Sequence, residues 1–199
     1  KHIFMNILVC CLTYGNRPYD ILHANLEKAG MPFQVMFVSK EGIANAQNEA
    51  IYLADKFDAI AYLSNDIIEP NNWLVKKVQA MQSYPDAGII ATCIERIPTH
   101  IQNEMVISNW LMSSKMIEKV GQFNESFFPY GPIDLDYCER SWLAGFNTYY
   151  MVGEQAHHVC GNSTGDEYGW SKEKLVAGYW DLYNNNILDY KNGTKNFKI

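Results

Sequence analysis

The stretch AYLSNDIIEP, Ala61 to Pro70, decides how this chain is read. An apolar run of strand length ends on two small polar residues and an acid, Ser64, Asn65 and Asp66, where a buried strand would usually stop at Gly or Pro. Asn and Asp make turns by bonding nearby backbone, so a turn is one sufficient explanation. A carboxylate needed for chemistry at the strand exit is the other. Outward from this point, strand-length runs alternate with helical patterns. Before it come a strand at Phe4–Leu12, the turn TYGNRP, a helix over Pro18–Ala29 stopped by Gly30, a strand at Gln34–Val38 and a helix over Ile43–Phe57. The stretch itself closes a third strand, Ala59–Leu63, and is followed by a helix over Asn72–Tyr84 and a fourth strand at Ala87–Cys93. Further on, Ile97–Asn103 reads as a connection and Val106–Met112 as a strand leading to a short helix near Gly121. A helix over Asp134–Ala144, a strand at Thr148–Val152, a loop with two histidines and a closing helix over Ser171–Tyr190 complete the order. This is an α/β pattern, and it predicts a mostly parallel central sheet flanked by helices.

The 199 residues, 48% of them hydrophobic, suit one domain over 1–199, with a C-terminal helix and tail from about 171. Sixteen Lys and Arg against 22 Asp and Glu give a net charge of −6, which argues against a broad nonspecific nucleic-acid surface. A local basic groove stays open, and the late lysines, Lys172 to Lys198, fit a solvated helix and tail as well as a patch. Five cysteines without a CxxC pair read as reduced thiols, and a cytoplasmic location is expected. The opening KHIFMNILVCCL mimics a signal peptide but lacks a small-residue cleavage site and reads better as a first strand. No apolar run approaches the roughly 20 residues that span a bilayer, so no integral membrane segment is expected.

Open α/β sheets bind ligands beyond the carboxyl ends of their strands. Asp66 is predicted at such an end. Hard oxygen ligands there suit Mg²⁺ or Mn²⁺, and those cations suit a diphosphate whose oxygens complete the shell. A second acidic cluster, Asp134 and Asp136, opens a predicted helix, where negative side chains are favoured by roughly 0.3–1 kcal/mol. Capping alone is thus one reading. Residues two apart do not share a helix face, so the two acids are expected to do different work, one facing a cleft and the other bonding backbone or Arg140, four residues after Asp136.

Five ordered pieces, over about residues 5 to 165, carry a resemblance. TYGNRP is similar to the opening TYNRP loop of family 2 glycosyltransferases of the GT-A fold, and GIANAQNEA (Gly42 to Ala50) to their G-x-x-x-A-x-N helix. SNDIIEPNNWL resembles their D-x-D…P-x-W-L donor motif, GQFNESFF with the following D-x-D and Arg140 resembles the acceptor-side motif, and AHHVCGNST resembles the late H-x-x-G-x-S segment. Three departures stand out. Ser64 occupies the place of the first D-x-D acid, VSKEG stands where DDGS is usual, and Ile133 replaces the acid before Asp134.

The resemblance implies a GT-A fold and transfer of a sugar from a nucleotide-diphosphate donor, a UDP-sugar first, to an acceptor hydroxyl. Inversion and dependence on Mn²⁺ or Mg²⁺ are implied with it. Asp134 is then the base that takes the acceptor proton, and Asp66 the metal ligand, with His158 a third ligand or a phosphate contact. Thr13, Tyr14, Arg17, Asn48 and Asn65 are expected around the donor, although Arg17 reads equally as a solvated turn residue. Trp110 and Asp136 are expected on the acceptor side, although a Trp is often core. GNSTGDEYGW, with Tyr168 and Trp170, is expected either as a lid or as an ordinary surface loop. A glycan, a protein, a lipid or a hydroxylated nucleobase all stay open as acceptor. A nucleotidyltransferase, or a noncatalytic nucleotide- or sugar-binding protein of the same fold, is the alternative.

Overall fold

The structure, a computed structural model, describes residues 5–13, 19–106, 109–159 and 172–199. Its frame is a six-stranded sheet of order β2-β1-β3-β6-β5-β7. The strands are β1 (Ile7–Leu12), β2 (Gln34–Val38), β3 (Ala59–Leu63), β5 (Ala87–Cys93), β6 (Trp110–Ser113) and β7 (Asn147–Gln155). β1 runs parallel to β2 and β3, and β5 parallel to β7, while β6 lies antiparallel between β3 and β5. The expected mostly parallel sheet is present, and this one reversed strand is what joins its two halves.

β1 and β3 are apolar without interruption, and β5 nearly so, with Thr92 its one polar side chain, because both sheet faces are covered. Alternate side chains feed two cores: Leu8, Cys10, Ile60 and Tyr62 enter one, while Ile7, Val9, Cys11, Ala61 and Leu63 enter the other. Helices α2 (Ile43–Ile51), α4 (Ser114–Val120) and α5 (Ile133–Leu143) cover the first face. Helices α1 (Asp20–Glu27) and α3 (Trp73–Ser83) cover the second. The closing helix α6 spans Lys172–Asn192 and packs on α5.

Four expectations shift. The helix expected to Phe57 stops at Ile51 and continues as a single 3-10 turn, Ala54–Lys56, because the chain must swing back to enter β3. The strand expected from Val106 begins at Trp110; Val106 is buried, and its carbonyl accepts the Cys138 thiol of α5 instead of a strand partner. β7 runs on to Gln155, past the expected Val152. The histidine loop contains a short strand, β8 (His157–His158), which pairs antiparallel with β4 (Ile67–Ile68).

Candidate functional site

Asp66 sits in the tight turn between β3 and β4, just past the carboxyl end of β3. The chain turns there because Ser64 and Asp66 bond each other, Ser64 Oγ donating to Asp66 Oδ1, and because Asn109 Oδ1 accepts the Ser64 N–H at 2.8 Å. Pairing of β4 with β8 sets Ile67 opposite His158, and Val159 N–H donates to the Asp66 carbonyl at 2.8 Å. This ribbon brings His158 Nε2 to 3.4 Å from Asp66 Oδ2, although 92 residues separate the two in sequence. Both side chains reach solvent, Asp66 at 21% and His158 at 43% exposure. Asn65 is half-buried in the same turn.

Asp134 lies at the same edge of the sheet. β7 starts opposite the start of β5, Asn147 facing Ala87, and α5 feeds it through Ala144–Phe146. An 11-residue helix is about 16 Å long, so α5 begins back at the carboxyl edge. A direct contact agrees: the loop before α5 meets the start of α2, Ile43 N–H donating to the Pro129 carbonyl at 3.3 Å. Gly42 has φ +83°, and a Cβ there would stand 2.7 Å from the Phe128 ring, so the close approach needs glycine on both counts. Asp134 occupies the first turn of α5, half-buried.

Three expected site residues are corrected. Asp136 is fully buried and bonds Arg140 Nε through Oδ2 at 2.8 Å. Arg140 in turn donates through Nη1 to the carbonyls of Val120 (3.1 Å) and Gln122 (2.9 Å). The pair ties α5 to the end of α4 and the segment after it. Burial pushes the Asp136 carboxyl above its ordinary value, against the pull of Arg140. Trp110 is core, stacked on Phe123 at 5.7 Å and buried beside Tyr137, because β6 is an interior strand. Asn48 is buried, and its amide is used up by Phe123 N–H, the Phe123 carbonyl and Glu125. It staples α2 to the segment leading to α5. Thr13 ends β1 at the carboxyl edge with its hydroxyl donating to the Val38 carbonyl at 3.0 Å. Tyr14, Arg17 and the stretch GNSTGDEYGW fall outside the described residues.

Five residues that sequence reasoning passed over surround the Asp66 turn: Asn25, Glu69, Lys77, Thr92 and Asn109, all buried. A signal did exist. Lys77 stands within the otherwise apolar buried face of α3, formed by Trp73, Leu74, Val78 and Met81, and a lysine there demands a buried anion. Burial lowers its pKa, while the Glu69 carboxylate 2.9 Å away works the other way.

The donor set at the β4–β8 ribbon, one carboxylate and one imidazole reaching solvent side by side, could hold a divalent cation, the carboxylate suiting a hard ion such as Mn²⁺. Among the described residues no group of three His, Cys, Asp or Glu side chains gathers.

A central sheet of this order with its acids at the carboxyl edge defines the GT-A fold of nucleotide-sugar transferases, as the sequence resemblance implies. Solved structures superpose on the chain, two of them named as transferases of that kind. A mannosyltransferase from Pyrobaculum calidifontis, in complex with GDP-Man and Mn²⁺, aligns with TM-score 0.64 and 13% identity over 84% of this chain and 60% of that one. GalNAc-T7 with UDP, GalNAc and Mn²⁺ aligns with TM-score 0.67 and 9% identity over 96% of this chain and 51% of that one. A197 from STIV aligns with TM-score 0.57 and 12% identity over 79% of this chain and 87% of that one. The chain thus spans between half and two thirds of the length of the first two. No family model and no curated protein sequence matches the chain. Among the described residues, no helix is long and apolar enough to cross a membrane.

Proposed function

We propose that the protein is an inverting glycosyltransferase that takes a sugar from a nucleotide-diphosphate donor, a UDP-sugar first, with Mn²⁺ or Mg²⁺ at Asp66 and His158. The observation that carries this reading is the meeting of these two residues at 3.4 Å across the β4–β8 ribbon, at the carboxyl edge of a GT-A sheet. Mannosyl and GalNAc transferases of that fold hold GDP-Man or UDP with Mn²⁺, which supports the donor and metal classes.

Asp134 is the residue we assign to the acceptor proton. The acceptor oxygen attacks the anomeric carbon from the face opposite the diphosphate, its proton passes to an Asp134 oxygen, and the bond from the anomeric carbon to the diphosphate oxygen breaks. A divalent cation held by Asp66 and His158 would supply positive charge against the negative charge that gathers on the departing diphosphate. Asp66 and His158 would hold that cation, and Ser64 fixes the orientation of the Asp66 carboxylate.

The test is incubation with a panel of nucleotide sugars, acceptors and Mn²⁺, reading free nucleoside diphosphate and the anomeric configuration of the product by NMR. Inverted product, abolished by Asp134→Asn with donor affinity kept, is expected. Unchanged turnover in Asp134→Asn removes it from the mechanism, and pyrophosphate release assigns a nucleotidyltransferase instead. One observation favours a second reading, a noncatalytic binder: the Ser64 hydroxyl occupies one oxygen of the Asp66 carboxylate where the related motif has another acid. Donor binding without any hydrolysis or transfer across the panel would decide for it.

A further inference from the structure

Asp66 itself lies on a ribbon too small to hold a direction. β4 is two residues long, and a lone two-stranded ribbon is marginal in water. What fixes it lies one layer below. Asn25 of α1 clasps the strand from beneath, its Nδ2 donating to the Ile67 carbonyl at 2.7 Å and its Oδ1 accepting the Glu69 N–H at 2.9 Å. Glu69 Oε1 meets Lys77 Nζ at 2.9 Å, and Glu69 Oε2 accepts from the Thr92 hydroxyl at 2.7 Å. Lys77 Nζ also donates to the Asn109 carbonyl at 3.0 Å and sits 5.0 Å from the centre of the Trp73 ring. Asn109 closes the circuit by accepting the Ser64 N–H. Segment 64–69 is therefore gripped on both sides of Asp66 by a buried network drawn from α1, α3, β5 and the start of β6.

We propose that the buried Glu69–Lys77 ion pair is a positioning device for Asp66, holding β4 in the one register that aims the Asp66 carboxylate at His158 and at the divalent cation the two would share. This rests on the reading of Asp66 as a metal ligand. The energetics argue for position over stability. A buried ion pair is often no more stabilising than apolar side chains of equal volume, so α3 and β4 could be packed together without it. Apolar packing is tolerant of direction. The Glu69 carboxylate is satisfied only when the Lys77 ammonium and the Thr92 hydroxyl meet it together, while the Asn25 clasp holds the backbone of the same residue, and a slip of one residue in β4 would turn Glu69 to the opposite face. Asp66 is three residues away along the same short segment, so its direction follows from that register.

The test uses the full chain carrying E69Q/K77M, which removes both charges and leaves an amide able to accept from Thr92. Two readouts are taken beside thermal melting: amide hydrogen exchange over 64–69 and 156–159, and Mn²⁺ binding in the presence of UDP by proton relaxation enhancement. Expected are at least tenfold faster exchange in those two segments with β1 and β3 unchanged, and Mn²⁺ affinity about 10- to 100-fold weaker, the usual cost of losing an outer partner of a ligand. Native exchange at 64–69 together with wild-type affinity overturns the proposal. If E69Q/K77M fails to fold, Thr92→Val serves in its place; it deletes one bond to Glu69 at constant shape, and must accelerate exchange in the same two segments for the proposal to stand. Wild-type protein that binds no Mn²⁺ with UDP sinks the ligand reading of Asp66, and the proposal with it. The exchange data then tell separately whether the clamp grips the turn.

Discussion

Arg140→Met is the sharpest test of the α5 assignment, because it asks whether Asp136 belongs to the structure or to the reaction. The substitution leaves the Asp136 carboxylate buried without its guanidinium and leaves the carbonyls of Val120 and Gln122 without their donor. Breaking a buried pair by removing one partner costs about 3–5 kcal/mol. For a chain of 150–250 residues each kcal/mol lowers Tm by about 2–4 °C, so a fall of about 6–20 °C is expected. Asp136→Asn should cost less, about 1–3 kcal/mol, since an amide oxygen can still accept from Arg140 Nε. The two changes touch one bond, so the double variant should lose less than the sum, with a coupling of about 0.5–3 kcal/mol. Differential scanning calorimetry measures all three, and donor turnover is read on the same preparations at a temperature where each is folded. An Asp136→Asn protein with wild-type Tm and no turnover would refute the structural assignment and return Asp136 to the reaction.

Two further outcomes follow from burial. Burial pushes the Cys11 thiol from its ordinary 9.0 to about 12, and raises Cys10 as well. A thiol whose pKa is raised by folding keeps its full contribution below the unfolded pKa and loses it as pH climbs toward the folded one, so stability should fall from pH 9 upward. Urea melts at pH 8 to 11 should show this decline, less steep in Cys11→Ala; an identical decline in that variant counts against the assignment. At the sheet edge, β2 has no outer strand partner among the described residues, and it exposes Val35 at 45% and Phe37 at 48%. Val35→Lys with Phe37→Lys should lower light scattering on concentration with Tm moved by no more than a few degrees; unchanged scattering argues against this edge as the sticky surface.

The sheet was legible because its central strands are continuous apolar runs, and β2, β3 and β5 fall on the expected residues. The ends of elements were less so. Ala54–Lys56 still reads as helix locally, and only the need to enter β3 tightens it. At the site, the turn at Asp66 and the acids of α5 were visible as polar residues closing or opening apolar elements. The ion pair of Asp136 with Arg140 was visible too, at a spacing of four, but its burial was not, because it depends on the carbonyls of Val120 and Gln122 closing over it from another part of the chain. Trp110 and Asn48 misled for a related reason. A tryptophan at a strand start and an asparagine on a helix look equally suited to a ligand or to the interior, and the reversed strand β6 and the Phe123 segment that bury them leave no periodic mark. The meeting of His158 with Asp66 was open to inference only as two possible ligands, since a two-residue strand has no pattern of its own.

That meeting also has a temporal side. β8 follows β7 after a single residue, so if β7 docks on β5 first, that docking delivers His158 close to Asp66. A chain that has emerged only as far as β6 carries Asp66 without His158. Refolding followed by tryptophan emission should therefore outrun the recovery of ligand capture, and the lag between the two would time the closing of the last strand.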